Sequence, residues 1–362
     1  PFAYAAPSGF KSLNTANLPT PTILNGATVF DTKLYTGNGS TQTISGLGFS
    51  PDLVWIKSRV GTVNHVLVDV IRGATAKLNS NTTNAEDTSN TNGYVSALTS
   101  DGFTVAQGGG TYPGIETNYN PGTPYTYAAW CWDAGTANVT NTQGSITSTV
   151  RANPSAGFSI VTYTCQASGS ATIGHGLGVA PSLLILKGRA GTTGWGVYHI
   201  SNGWNGYLQL ESTAAFVTST NAMNNTAPTS TVWTQGTVYA GLGNYVAYCF
   251  APVAGYSSFG SYTGNGSADG PFVYTGFRPR WVLIKCSSGA DDWVMHDTAR
   301  NTSNVALNYL FPNLSAAEGS LYGIDILSNG FKPRTTVSQW NVSSATYIYA
   351  AFAENPFSIA RA

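Results

Sequence analysis

Charge is what this chain has least of. Its 362 residues carry 16 Lys plus Arg and 16 Asp plus Glu, only 9% of the total and formally cancelling, against roughly 25% in an ordinary soluble domain. Nucleic-acid affinity rests on Lys and Arg displacing condensed counterions, so nucleic acid is not an expected partner. No stretch approaches the roughly 18 apolar residues of a membrane span, and the opening residues lack the charged start and apolar centre of a signal peptide, so no membrane insertion is expected. Cysteine is scarce as well. Cys131, Cys165, Cys249 and Cys286 form no CxxC pair and have no His at zinc-finger spacing, so neither a structural metal nor a cofactor is expected. Helical periodicity is also missing, apart from a short turn expected around Ala316-Ala-Glu318.

What is present rules out disorder. Hydrophobic residues make up 42%, aromatics 12%, and there are 41 Gly, whereas a disordered chain has few aromatics and a large net charge. The polar surface is therefore built from Ser, Thr, Asn and Gly. The length leaves room for two or three domains, each able to bury its own core.

Three signals recur in the same order. The first is Tyr35-Thr-Gly-Asn-Gly39 and Tyr262-Thr-Gly-Asn-Gly266, with a degraded Tyr163-Thr-Cys-Gln-Ala167 between them. The second is a gap-free run from Gly48 to Lys57, from Gly178 to Lys187 and from Gly276 to Lys285, each with Pro at its fourth position. The third closes each copy: Tyr127-Ala-Ala-Trp-Cys-Trp132, Tyr245-Val-Ala-Tyr-Cys-Phe250 and Tyr349-Ala-Ala-Phe-Ala-Glu354. The apolar runs read as strands buried on both faces, and Asn-Gly supplies hairpin turns; Ser100-Asp-Gly-Phe103 and Ser328-Asn-Gly-Phe331 add a second hairpin to copies one and three. The expected fold is all-β, three tandem antiparallel β-sandwich-like repeats over 27–137, 138–254 and 255–362, after a tail of a preceding domain plus linker over 1–26. The alignment puts Cys131 and Cys249 at one position, which Ala353 fills in copy three, and predicts a buried reduced thiol there.

No catalytic constellation assembles. Glu86-Asp87 and Asp291-Asp292 are adjacent pairs, which point to opposite faces of a strand, and they read as solvated loop charge rather than a glycosidase pair. Asp69-x-x-Arg72 and Asp297-x-x-Arg300 recur and read as salt bridges tying a loop. His175 sits in a Gly-rich turn without a following helix, so it belongs to no phosphate loop, and no nucleophile elbow is present. The chain is therefore not expected to be an enzyme. The Asn-x-Ser/Thr sequons, at Asn38, Asn81, Asn138 and Asn341 among others, follow from composition. One segment competes as a binding site: Trp195 to Tyr207, where Trp195 aligns with Trp293 and His199 replaces the Asp of positions 69 and 297. Trp204 has no counterpart and sits between Asn202-Gly and Asn205-Gly, which suggests an exposed turn. His199, Trp204 and Tyr207 are the candidate ligand-binding residues, suited to stacking on a sugar face.

The recurring motifs, together with Gly260-Ser-Tyr-Thr-Gly-Asn-Gly-Ser-Ala-Asp-Gly-Pro-Phe272 and Ala351-Phe-Ala-Glu-Asn-Pro-Phe357, resemble a repeat domain of unknown function from large virion proteins of tailed bacteriophages, especially marine ones. The resemblance covers about residues 27 to 357. The opening Pro1 to Pro19 looks like the end of a lectin-like SPRY or concanavalin-type sandwich, so the chain is expected to be part of a longer polypeptide. The resemblance implies a virion protein outside the cell, in a tail fibre or similar appendage. It would contact a host cell-surface glycan or protein, pack against other virion proteins and close as a homotrimer. A head fibre or capsid decoration protein, a secreted adhesin and a glycan depolymerase are the alternatives. The resemblance supplies no binding residues of its own.

Overall fold

The three apolar runs ending in Lys form the central strands of three sheets. The computed structural model describes residues 21–354, so the opening Pro1 to Pro19, expected to end a lectin-like domain, lies outside the described residues. In the first segment the strands are β1 (Phe30–Thr36), β2 (Gln42–Ile44), β3 (Leu53–Ser58), β4 (Val66–Asp69), β5 (Gly73–Leu78), β6 (Tyr94–Thr99), β7 (Gly102–Ala106) and β8 (Thr126–Trp132). The second has β9 (Asn138–Asn141), β10 (Ser148–Asn153), β11 (Phe158–Thr164), β12 (Ala171–Gly174), β13 (Leu183–Gly188), β14 (Trp195–His199), β15 (Gly206–Gln209), β16 (Val217–Thr218), β17 (Val232–Gln235) and β18 (Asn244–Phe250). The third has β19 (Ser257–Thr263), β20 (Val273–Tyr274), β21 (Pro279–Cys286), β22 (Val294–Asp297), β23 (Ile324–Leu327), β24 (Gly330–Pro333) and β25 (Thr346–Ala353). The fold is all-β with antiparallel strand pairs, and among the described residues it has two four-residue α-helices, α1 (Thr220–Met223) and α2 (Ser338–Asn341). The turn expected at Ala316-Ala-Glu318 is not helical; that stretch instead runs beside the first segment, with the Glu318 amide donating to the Arg59 carbonyl at 2.8 Å.

One strand order appears three times: β1-β8-β3-β4, β11-β18-β13-β14 and β19-β25-β21-β22. Smaller sheets, β2-β7-β6, β12-β17 and β20-β24-β23, accompany them. β3 and β13 are buried at every residue, as a strand covered on both faces must be. Lys57, Lys187 and Lys285 hold matching places, opposite Ala128, Val246 and Ile348. These pairings correct the alignment of the third closing motif by two residues. Tyr35 pairs with Tyr127, Tyr163 with Tyr245 and Tyr262 with Tyr347, so Tyr347, not Tyr349, is the counterpart of Tyr127. Each pair is a ring stack, with centroids 5.1, 6.0 and 4.9 Å apart, a cross-strand contact that pins register. The position of Cys131 and Cys249 is therefore filled by Ala351. All four cysteines are free and buried.

The Tyr-Thr-Gly-Asn-Gly motif is a corner rather than a hairpin, because β2 pairs with β7 and not with β1. A buried Asn holds the corner. The Asn38 amide donates to Asn118 Oδ1 at 2.9 Å, and the Asn265 amide to Asn341 Oδ1 at 2.8 Å. A Cβ at Gly37 or Gly264 would strike the carbonyl of Tyr119 or Val342, so the close approach demands glycine. The Ser100-Asp101 and Ser328-Asn329 turns do close hairpins, between Thr99 and Gly102 and between Leu327 and Gly330. Asn341 is buried and donates to Asn265, Ser267 and Thr335, so this sequon offers no free amide to a glycan.

The sheets do not bury separate cores on both faces. Along β3, Val54 and Ile56 point outward to a core made with the small sheet, including Phe103 and Val105. Leu53 and Trp55 point inward and join Leu183, Ile185, Trp281 and Leu283 from the other two segments in one cluster. At its centre stand the last aromatics of the three closing strands. Trp132, Phe250 and Phe352 make a triangle with centroid distances of 6.4, 6.0 and 5.8 Å, in the range where aromatic pairs add about 0.5–1.5 kcal/mol beyond area burial. The expectation that each segment buries its own core is corrected: the first and second own an outer core, the outward residues of the third, such as Val282, Ile284 and Phe331, are continuous with the inner one, and all three share that inner core.

Candidate functional site

Three seams run outward from this shared core, and each uses the same positions. Leu53 pairs with Asp69, Leu183 with His199 and Trp281 with Asp297, so these three residues are equivalent. Asp69 Oδ2 accepts from the Tyr248 hydroxyl of the second segment at 2.9 Å, and Asp297 Oδ2 accepts from Trp130 Nε1 of the first at 3.0 Å. Trp130 and Tyr248 correspond to Ala350, which has no donor. Opposite Ala350 stands His199, whose Nε2 reaches the Tyr349 carbonyl at 3.1 Å while Nδ1 accepts from the Ser201 amide. A carbonyl only accepts, so Nε2 carries the proton.

The charges around those positions change together. Arg72 Nε lies 2.5 Å from Asp69 and its Nη1 2.9 Å from Glu86, which also pairs with Arg189 at 2.9 Å. Arg300 lies 2.6 Å from Asp297 and 3.1 Å from Glu318, which also pairs with Arg59 at 2.7 Å. The loop-tying salt bridges are thus present, but Glu86 is not solvated loop charge; it bridges two arginines across a seam. The backbone shows what replaces this set in the second segment. The amides of Glu86, Glu318 and Phe216 donate to the carbonyls of Arg189, Arg59 and Ser287. The third seam therefore has Phe216 for the glutamate, Ser287 for the arginine, and Asn202 three residues after His199 where the others have Arg.

Electrostatics follow. Burial alone would raise the Asp297 carboxyl, but the Arg300 guanidinium beside it holds it below the usual carboxylate range. Burial pushes His199 down to about 4. It also lowers Lys57 to about 7 and Lys187 and Lys285 to about 8. Their ammonium groups donate mainly to backbone carbonyls, Lys187 to Thr83 and Lys285 to Thr213 across the seams.

The three candidate ligand residues do not form one site. His199 is 2% exposed and bonded into the second–third seam, so it is a structural group. Trp204 is half-buried and packs on the outer core of its own segment; its Gly-flanked turn folds back onto that core instead of standing free. Tyr207, on the outward face of β15, does open onto a cleft of about 320 Å³. Tyr239, Tyr245, Gln209 and the Thr192-Thr193-Gly194 turn complete much of the wall. Trp195, as expected from its match to Trp293, is core: both are buried, and their indole N–H groups donate across seams to the carbonyls of Asn79 and Gln209.

Sequence reasoning missed Gly196. It pairs with Leu186 as Val66 pairs with Ile56 and Val294 with Ile284. Val66 and Val294 are fully buried, whereas glycine leaves the place that the Tyr239 hydroxyl takes, 2.8 Å from where a Cβ would stand, and this substitution was readable from the constant spacing to Lys57, Lys187 and Lys285. Among the described residues no group of three or more His, Cys, Asp or Glu is placed to hold a metal ion, and no helix is long and apolar enough to cross a membrane.

A family model described as a domain of unknown function (DUF7483) matches residues 25–356. No curated protein and no solved structure matches the chain.

Proposed function

The chain belongs to the DUF7483 family, whose function is unknown, and from that premise we propose that it is a non-catalytic module of a tailed-bacteriophage virion, part of a tail fibre or similar appendage that contacts the host cell surface. The observation that carries this reading is the second segment's cleft. Two segments keep valine at the equivalent strand position; the second has glycine there, against which Tyr239 packs, and a cleft walled with tyrosines and hydroxyls beside it. A concave, half-apolar site with a few polar groups is what recognition of a small surface ligand needs. The resemblance of the recurring motifs to virion repeat domains supports the setting. The nearly charge-free composition supports a surface that does not adhere to polyanions. Closure as a homotrimer, packing against other virion proteins and an extracellular virion location belong to the same proposal.

Mapping the chain in a reconstruction of the intact virion tests it. Density for these sheets in a tail appendage is expected. Density on the capsid surface, or none in the virion, contradicts it.

A further inference from the structure

The wall of the second segment's cleft points to a class of ligand. On β15, Leu208 and Leu210 face the shared core, and the alternation of a strand turns Tyr207 and Gln209 outward into the cleft. Tyr239 closes the opposite side, its hydroxyl bonded to that of Tyr198. Val238 and Leu242, 47% and 42% exposed, form the rim.

Among the described residues no Lys, Arg, Asp or Glu lines the cleft. Two charges of opposite sign bond to lining residues, Lys187 to Thr193 and Glu211 to Gln209. Lys187 is turned inward, donating to Thr83 O, Thr193 O and Thr193 Oγ1 at 2.7–3.1 Å. Glu211 accepts from the Trp195 amide at 2.9 Å and from Gln209 Nε2 at 3.3 Å. An anionic ligand would meet no cation in this lining and a cationic one no carboxylate in it, and burying an unpaired charge is costly. A ligand with many hydroxyls and one apolar face loses nothing there. Its hydroxyls meet Thr, Ser, Gln and Tyr groups, and its C–H face meets a tyrosine ring and the Val238–Leu242 rim. The volume of about 320 Å³ lies at the low end of the roughly 300–1,000 Å³ typical of small-ligand sites, the size for a single ring and not for an extended chain.

We infer that this cleft binds one uncharged pyranose ring of a surface glycan, with Tyr207 as the stacking residue. The inference rests on the host-contact reading and narrows it to neutral saccharides, excluding uronic and sialic acids.

Saturation-transfer NMR on the full chain tests it, with the methyl glycosides of glucose, galactose and N-acetylglucosamine as neutral probes and glucuronate, galacturonate and N-acetylneuraminate as charged ones. At least one neutral probe should bind, every charged one more weakly. Tyr207→Ala should weaken the neutral probe at least tenfold and Tyr207→Phe should retain it. Leu242→Ala, at an exposed rim position where folding is not at stake, should weaken it several-fold. Equal or tighter binding of the charged probes, unchanged binding in Tyr207→Ala, or binding of neither class at millimolar concentration overturns the inference. Each of those results leaves the virion-location test standing. A capsid location with neutral-sugar binding intact would instead remove only the host-contact reading.

Discussion

The first–second and third–first seams are ionic; the second–third seam is not. In the ionic seams a chain, buried except at its outer Arg, runs Tyr248 or Trp130 to Asp, Arg, Glu and a second Arg. In the neutral seam all five positions differ: Ala350, His199, Asn202, Phe216 and Ser287. Buried charges are tolerable only when every one is paired. Losing any one member strands the rest, so the network is present whole or absent whole. The lesson is that the segments diverged by seam, not by residue, and that His199, read alone as a candidate ligand group, is the neutral seam's substitute for an aspartate that had lost its donor.

Cutting the two kinds of seam should give unequal damage. Asp297→Ala leaves Arg300 buried beside a single remaining acid, and removing one partner of a buried ion pair costs about 3–5 kcal/mol. His199→Ala removes the partner of the Tyr349 carbonyl and of the Ser201 amide; Ser201 is exposed and its amide can turn to water, so the buried carbonyl sets the cost, about 1–3 kcal/mol. Urea denaturation of both variants checks this; equal losses would erase the distinction between seams.

Acid should act on the neutral seam through His199. Its folded pKa, about 4, lies below the unfolded value near 6.5, so the unfolded chain binds more protons between them. Its contribution is fully present above about pH 6.5 and lost as pH falls towards 4, at most about 3 kcal/mol by linkage. The buried His65 and His296 are also shifted down and share this window. His199→Gln should therefore flatten one share of the stability loss between pH 6.5 and 4, and an unchanged slope would deny its burial. The carboxylates Asp297 and Glu86, held below their usual range, withdraw their stabilisation only at lower pH, as they protonate.

Rebuilding the network sharpens the comparison further. Ser287→Arg with Phe216→Glu places the outer ion pair in the neutral seam. The double-mutant cycle should show favourable coupling of about 1 kcal/mol, modest because the equivalent Arg59 stays partly exposed. Trp204→Ala, outside every seam, should cost least, about 1 kcal/mol, and leave neutral-sugar binding to the cleft in place.

Much of this was legible in the sequence, and the failures have physical causes. The apolar runs and their Lys positions were readable because a doubly buried strand needs unbroken apolar residues. The equivalence of Asp69, His199 and Asp297 followed from constant spacing to those runs. The third closing motif slipped by two because side chains alternate with period two: Tyr347 and Tyr349 both fit the strand, and only the partner Tyr262 distinguishes them. The shared core was hidden, since a sequence shows that Leu53 and Trp55 are buried but not that their cover comes from other segments. Tyr207 was identified for its divergence, which does mark the cleft; Trp204 diverged for packing, and the two cannot be told apart without the fold.

The shared inner core is the central claim, and hydrogen exchange on the intact chain carrying Phe352→Ala tests it most directly. Truncating a buried Phe should cost about 3–5 kcal/mol. If Trp132, Phe250 and Phe352 close one core, amide protection should fall together in β8, β18 and β25. Loss confined to β25 and its own sheet, with β8 and β18 protected as before, would show three independently stable sandwiches and contradict the account.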